Sequence, residues 1–316
     1  MNVPDTAFVL GAGLGTRLKS LTARRPKPLI PVANQPLIAH AFEHLTHHGV
    51  HRFVINTHWR AEAYTAAFPE SSWKSQPLAW SHEHPEVLET AGGLKHAAPL
   101  LPSSDSFWVY NGDILSDIPL QRAIETHQQH NHLVTLVLRS NAEPRQIAFN
   151  PETTLITDIG NRITPDSPKD YLFTGISLIN PSLLNHIPAN QKISVIPIYI
   201  DLIKQGLPVG GCVINEGSWH DLGNRDTYLE AHQLLASQNC SSPWIHPTAS
   251  VAPSARITGA SAIGAHASIG ADCLIHDSIV WENARILPEA QLHRCVVTDG
   301  AHVAGHHLDS DLTEAP

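Results

Sequence analysis

From Ile245 onward the chain sets an aliphatic residue at every sixth position: Ile245, Val251, Ile257, Ile263, Ile269 and Ile275. A small residue stands four places after each of the first five, at Ala249, Ala255, Ser261, Ala267 and Cys273. A period of six matches the hexapeptide repeat of a parallel β-helix. After Ile275 the phase slips by one residue. It resumes at Val280, Ile286 and Leu292, with Ala284, Ala290 and Val296 in the small position, so the slip marks a coil corner or a short loop. Loop composition does not generate so many apolar matches by chance. The 72 residues from Ile245 to Pro316 amount to about three to four triangular turns of ~18 residues each.

Upstream the pattern changes. Between residues 6 and 235, short apolar runs of strand length and composition (AFVL before Gly11, FVIN at 53–56, FWVY at 107–110, LVTLVL at 133–138, GISLI at 175–179) alternate with amphipathic stretches. One such stretch puts Leu37, Ile38, Ala41, Phe42 and Leu45 at helical spacing, with Asn34 placed to cap and Pro36 in the first turn. This alternation predicts a mostly parallel sheet covered by helices, with ligands gathered at the carboxyl ends of the strands. The segment SQNCSSP, Ser237 to Pro243, has linker composition. The chain therefore reads as two domains, 1–240 and 241–316; its 316 residues are long for a single core.

Charge narrows the ligands. A formal charge of −9 argues against a nucleic-acid partner. No Asp or Glu occurs from Thr6 to Phe42, yet Arg17, Lys19, Arg24, Arg25 and Lys27 fall within eleven residues, a local positive field suited to a small anion. No apolar run is long enough to span a membrane, and no secretion signal opens the chain, so a cytoplasmic protein is expected. Cys212, Cys240, Cys273 and Cys295 are too scattered for a zinc site or a disulfide framework. The 22 histidines, clustered at His44/His47/His48, His82/His84 and His302/His306/His307, lack zinc-ligand spacing and read as mostly surface groups that gain charge toward pH ~6.5.

The run LGAGLGTRLKSLTARRPKPLIPV, residues 10–32, follows a strand and carries Gly11, Gly13 and Gly15, then Arg17 and Lys27. Glycines let backbone N–H groups close on a phosphate, and the two cations neutralise charge that spreads during its transfer. The third glycine comes one residue early for a dinucleotide fingerprint, and Pro26, Pro28 and Pro31 forbid a long helix after it. The G-K-[ST] of a Walker loop is absent.

This run resembles the signature G-x-G-T-R…P-K-P of the sugar-1-phosphate nucleotidylyltransferases. Further motifs follow in that family's order: LETAGG at 88–93, YNGDILSD at 110–117, FTGISLINP at 173–181 and SWHDLGNRDTY at 218–228. The resemblance implies a Rossmann-like α/β catalytic domain over 1–240, followed by a short left-handed parallel β-helix over 241–316. It implies Mg²⁺ on Asp113 and Asp221, with Arg17, Lys27 and Asp113 as catalytic residues. It implies that Leu10, Gly11, Ala12, Gly13, Gly15, Thr16, Arg17, Lys27, Glu83 and Gly92 bind the nucleotide, and that Glu89, Asn111, Asn161, Thr174 and Gly175 bind the sugar phosphate. Glu83 would accept from a guanine edge or serve a ribose, or else is an exposed loop acid.

The sequence departs from the family pattern in three places. Gly11 stands where the family usually has Ala, a mild change that adds backbone freedom. Ser20 replaces a frequent Pro. The E-K-P segment before the T-G strand is missing, and TDIGNRITPDSPKDYLF offers Asn161 and Lys169 without a clear equivalent of the family's sugar-phosphate Lys. LETAGG, with Glu89, looks closer to the N-acetylmuramate-1-phosphate uridylyltransferases of cell-wall recycling than to the mannose type, which reads L-G-T-A-G. The repeat tail looks closer to mannose-1-phosphate guanylyltransferases. The expected partners are a sugar 1-phosphate and UTP or GTP, with pyrophosphate released. The tail is expected to serve packing or homo-oligomer contact, being short for an acyltransferase. A scaffold protein that has lost the chemistry is the rival class, and retention of Arg17, Lys27, Asp113 and Asp221 speaks against it.

Overall fold

The structure is a computed structural model that describes residues 3–13, 15–238 and 242–313, without the side chains of Thr16 and Lys19. Cys240 and the expected boundary beside it lie outside those residues, as does the side chain of the nucleotide-loop candidate Thr16. The chain groups into two compact units, Met1–Leu14 with Ile38–Trp219, and Gly15–Leu37 with His220–Pro316. The second unit is thus discontinuous in sequence, joining most of the basic signature segment to the C-terminal part of the chain.

The first unit is built on ten strands: β1 Thr6–Leu10, β2 Arg52–Thr57, β3 Ser72–Trp73, β4 Gln76–His82, β5 Phe107–Asn111, β6 Val134–Arg139, β7 Ile147–Asn150, β8 Leu155–Ile159, β9 Leu172–Ile179 and β10 Val209–Val213. Their order in the sheet is β7-β8-β10-β6-β9-β5-β1-β2-β4-β3. Seven strands run one way; β3, β8 and β9 oppose them. The four neighbours β5, β1, β2 and β4 are mutually parallel. Such strands are buried on both faces, which is why β1 and β2 read as unbroken apolar runs. Phe8, Val54, Phe107, Leu136 and Ile179 contribute to one core cluster.

The helical spacing at Leu37, Ile38, Ala41, Phe42 and Leu45 is realised in helix Leu37–His47, with all five side chains at most 1% exposed. Its entry differs from expectation. Asn34 does not cap the helix. Ala33 and Asn34 both have positive φ (48° and 63°) and form the turn between the paired two-residue strands Pro31–Val32 and Gln35–Pro36. A tight hairpin of matching twist needs two left-handed central residues, and Asn tolerates that conformation well. Pro36 lies in the second of these strands and not in the helix.

In the second unit, helix Arg225–Gln238 precedes a parallel β-helix of three sheets. Ile245, Ile263, Val280, Val297 and Leu312 stack on one sheet; Val251, Ile269, Ile286 and Val303 on the next; and Ile257, Ile275, Leu292 and His307 on the third. Most of the aliphatic rungs form a continuous core with Ala267, Cys273, Ala284, Ala290 and Cys295. Ile245, at the terminal rung, is 45% exposed. The phase slip after Ile275 falls at a corner where Asp277 takes a φ of 46°. Asp272, Asn283, Gly300 and Asp309 take the left-handed region as well. Short polar residues and glycine suffer least in that conformation. Cys212, Cys273 and Cys295 are free and buried. Among the described residues, no helix is long and apolar enough to cross a membrane.

Candidate active site

At the carboxyl ends of the central parallel strands, Leu10 of β1 lies level with Asn56 of β2 on one side and Asn111 of β5 on the other. Sheets of this kind bind ligands at such ends. Gly11 continues from Leu10, and its N–H donates to Asn56 Oδ1 at 2.8 Å while its carbonyl accepts from the Tyr64 hydroxyl at 2.7 Å. A Cβ on Gly11 would lie 2.7 Å from the Asn56 carbonyl oxygen, so the departure from the family's alanine is a steric fit and more than added freedom. Ala12 is buried; Gly13 is exposed, with nothing within 4 Å of where its Cβ would stand.

Glu83 is fully buried, which removes the reading of it as an exposed loop acid. Its Oε1 accepts from Asn56 Nδ2 at 2.7 Å and its Oε2 from the Leu88 N–H at 2.6 Å. It therefore orients Asn56, which in turn holds Gly11. Helix Glu89–His96 starts directly after Leu88. Its Gly92 is buried, and the Gly92 N–H donates to the Ile193 carbonyl at 3.1 Å, so this glycine holds the helix against the chain at 191–193. Glu89 is exposed and has a φ of +60°.

Asn111 and Asp113 follow from β5 around Gly112, whose N–H donates to the Leu10 carbonyl at 3.0 Å. Burial, with the charge of Asp113 second, pushes the Tyr64 hydroxyl pKa well up, so Asp113 acts on the same strand end that Tyr64 secures. Gly175 has a φ of +81°, and a Cβ there would stand 2.4 Å from Asn111 Nδ2. This left-handed glycine sits where the β9–β6 register shifts, and it lets the β9 backbone close on Asn111. Thr174 is 1% exposed, with its hydroxyl donating to the Val137 carbonyl at 2.9 Å and its carbonyl accepting from Trp219 Nε1 at 2.8 Å. Its contribution is to set the bulge that presents Gly175.

The 160–171 segment is organised differently from expectation. Asn161 is exposed in a turn with a φ of 59°. Lys169 is committed to the fully buried carboxylate of Asp158 at 2.9 Å and so is not a spare cation for a sugar phosphate. Burial raises the Asp158 pKa, but Lys169 and the N–H groups of Ile163, Thr164 and Arg162 outweigh it and hold the carboxyl at about 2.

In the second unit, Gly15 opens a 3₁₀ helix, Thr16–Thr22, and its carbonyl accepts from Thr22 Oγ1 at 2.8 Å. Lys27 lies between Pro26 and Pro28, is 4% exposed, and reaches Asp221 Oδ1 with its Nζ at 3.2 Å. Arg17, on the exposed side, reaches Asp221 Oδ2 at 3.1 Å. Three of the expected residues thus form one constellation in which a single carboxylate faces two cations. Asp221 ends the short strand Trp219–Asp221, eight residues beyond β10. The sequence reading missed Asn56 and Tyr64. A polar residue closing the FVIN run, level with Asn111, was the available signal for Asn56.

A family model described as nucleotidyl transferase matches residues 6–238. The chain belongs to this family, among its sugar-1-phosphate nucleotidylyltransferases. It is 28% identical over 300 residues to a mannose-1-phosphate guanylyltransferase of Mycobacterium tuberculosis, covering 89% of this chain and 80% of the relative. It is 30% identical over 233 residues to an N-acetylmuramate alpha-1-phosphate uridylyltransferase of Neisseria meningitidis serogroup B, covering 73% of this chain and 98% of the relative. The inositol-1-phosphate CTP transferase of T. maritima shares the fold, with a TM-score of 0.61 at 18% identity over 72% of this chain and 92% of the other.

Proposed function

We propose that the protein transfers a nucleotidyl group from UTP to N-acetylmuramate 1-phosphate. A phosphate oxygen of the sugar 1-phosphate forms the new bond to the α-phosphorus, the bond from the α-phosphorus to the β-phosphate oxygen breaks, and pyrophosphate leaves with the electron pair. The observation that carries the choice of sugar is the backbone at Glu89. A φ of +60° suits the glycine of the mannose-type L-G-T-A-G, yet here a glutamate occupies it. A non-glycine residue in that region costs about 1 kcal/mol or more, and such cost is retained where a side chain serves a site. An exposed carboxylate at this helix start supports recognition of a substituted sugar.

In this reading Arg17 and Lys27, balanced by the one carboxylate of Asp221, leave a net positive charge for the departing pyrophosphate. Leu10, Gly11, Ala12, Gly13, Gly15 and Thr16 supply backbone toward the nucleotide, and Asn111, Asn161 and Gly175 serve the sugar phosphate. Mg²⁺ is assigned to Asp113 and Asp221 on their motifs. Among the described residues no three His, Cys, Asp or Glu side chains converge as a metal site. Mg²⁺ takes one or two carboxylates and fills the rest of its shell with phosphate oxygens and water, so two Asp residues and a nucleotide would suffice. When bound, Mg²⁺ would withdraw charge from the α-phosphate. The catalytic role is assigned to 1–240 and the tail is 241–316.

The second reading, GTP with mannose 1-phosphate, is favoured by the tail. The mannose-type relative aligns over 89% of this chain, whereas the muramate-type relative is exhausted after 233 residues. Pyrophosphate release across UTP, GTP, CTP, ATP and dTTP against muramate, glucosamine, glucose and mannose 1-phosphates tests both readings. The expected result is turnover with UTP and the muramate sugar, lost by at least about tenfold in Glu89→Gly. Turnover confined to GTP with mannose 1-phosphate promotes the second reading, and no release from any pair refutes both.

A further inference from the structure

The second unit contains a grip that the family chemistry does not account for. The Arg25 guanidinium, 19% exposed, lies 2.7 Å from Glu282 and 3.0 Å from Asp299, on two successive coils of the β-helix. It also stacks 5.4 Å above the ring centroid of Trp281. Trp281 is 1% exposed, and its Nε1 donates to the Tyr228 hydroxyl at 3.1 Å; that hydroxyl donates to the Pro31 carbonyl. Further along the segment, the Ala33 N–H donates to His232 Nε2 at 3.1 Å. Asn34 Nδ2 donates to the carbonyls of Trp244 and Ile263 at 3.1 and 2.9 Å. Ser20 Oγ reaches Asp311 at 3.3 Å. Residues 20–34 are therefore fastened at intervals to the C-terminal helix and coils, and Arg25 is the charged centre of that seam.

We infer that Arg25 is a positioning residue: the β-helix grips it and thereby fixes the segment that presents Lys27 and Arg17. The transmission is short and stiff. Lys27 is two residues from Arg25, and a proline on each side of it leaves its backbone little freedom. A guanidinium holding two carboxylates over an aromatic face is fixed in direction as well as in place, which a lysine does not reproduce. A displacement of about 1 Å in a group that stabilises charge costs about 10²-fold in rate, so a loosened anchor registers in turnover. The tail is, on this view, part of the catalytic apparatus through contacts inside the chain, in addition to any role between chains.

The inference rests on the proposed transfer for its kinetic consequence but not for its structural one, and the test uses both. In Arg25→Gln of the full chain, kcat falls about 10- to 100-fold and KM for the triphosphate rises, while KM for the sugar 1-phosphate stays within about twofold. Arg25→Lys recovers part of the loss. Amide exchange read by mass spectrometry speeds up about tenfold or more in peptides from 15–37, with peptides from 242–313 keeping wild-type protection. Wild-type kinetics and wild-type exchange at 15–37 in Arg25→Gln overturn the inference. If Arg25→Gln loosens the coils as well, Arg25→Lys decides, since it keeps the charge and gives up the two-pronged geometry; unchanged exchange at 15–37 in that variant again overturns it. If the wild-type protein releases no pyrophosphate from any pair, the proposed function fails and the exchange data still decide the grip.

Discussion

Acidification should destabilise the first unit between about pH 6.5 and 4, because folding buries neutral histidines there. His44, His127 and His132 are 7%, 3% and 2% exposed. Burial is the main cause that lowers each to a pKa of about 4 from an ordinary 6.5, with His48, His132 and His130 respectively adding like-charge repulsion. Each ring is also tied to neutral partners. His44 Nε2 lies 2.8 Å from the Ile118 carbonyl and must donate to it, which leaves Nδ1 to accept from the Tyr110 hydroxyl at 2.9 Å. His127 and His132 share the Thr135 hydroxyl at 2.9 and 3.0 Å. A base with a lowered folded pKa binds fewer protons folded than unfolded. Its stabilising share is complete above 6.5 and is lost as pH falls toward about 4. At pH 5 the two pKa values give a loss of about 2 kcal/mol per histidine, and roughly 5 kcal/mol for three once the coupling through Thr135 is discounted. Asp299 works in the opposite sense. Burial raises its carboxyl to about 6 against the pull of Arg25, so its protonation favours folding as pH falls, but it belongs to the second unit. Urea unfolding at pH 8, 6.5 and 5, followed by amide exchange in peptides of each unit, should show a steep loss confined to the first. Equal stability at pH 8 and 5 in that unit, or imidazole resonances of these three residues titrating near 6.5, would refute the reasoning.

Two other outcomes follow from the site. Asp113→Asn and Asp221→Asn should each lower kcat at saturating Mg²⁺ by about 10²-fold or more; Asp113→Asn should move the unfolding midpoint little, whereas Asp221→Asn should also lower it, because it takes the carboxylate charge from the buried Lys27; near-normal turnover in either variant removes that residue from the metal assignment. Lys169→Met leaves the buried Asp158 carboxylate without its cation and should cost about 3–5 kcal/mol in urea unfolding, with KM for the sugar 1-phosphate unchanged at low temperature; full stability with a KM raised more than about tenfold would make Lys169 the family's missing lysine after all.

Much of the fold was legible because its signals are local. The apolar runs at 7–10, 53–56, 107–110, 133–138 and 175–179 became strands, and the period of six became stacked coils. Strand β10, Val209–Val213, was not, because its sequence VGGCV carries two glycines that weaken any strand signal. The reason for one of them is tertiary: a Cβ on Gly210 would lie 2.0 Å from the His132 ring. Asn34 misled for a related reason. The residue type suits a helix cap and a left-handed turn equally, and only the pairing of Pro31–Val32 with Gln35–Pro36 chooses between them. The histidines were read as surface groups because composition carries no depth, and His44, His127, His132 and His232 are buried. At the site, motif spacing located the residues but not their division of labour. Glu83, Gly92 and Thr174 hold neighbours in place, and the pairing of Lys27 and Arg17 with Asp221 joins positions about 200 apart.

The discontinuous second unit also sets an order of events during synthesis. Residues 15–37 leave the ribosome early, but the rest of their unit, which includes the helix and coils that fasten them, begins only at His220, roughly 180 residues later. At about 5–20 residues per second the segment waits some 10–40 seconds for its partners. Through that interval its five positive residues and its four prolines lack the helix and coils that hold them in the finished fold. A chain halted between Val213 and the first coil at Trp244 carries the whole ten-stranded sheet yet lacks the coils that anchor Arg25 beside Lys27, so the cationic loop is completed only after the sheet that precedes it.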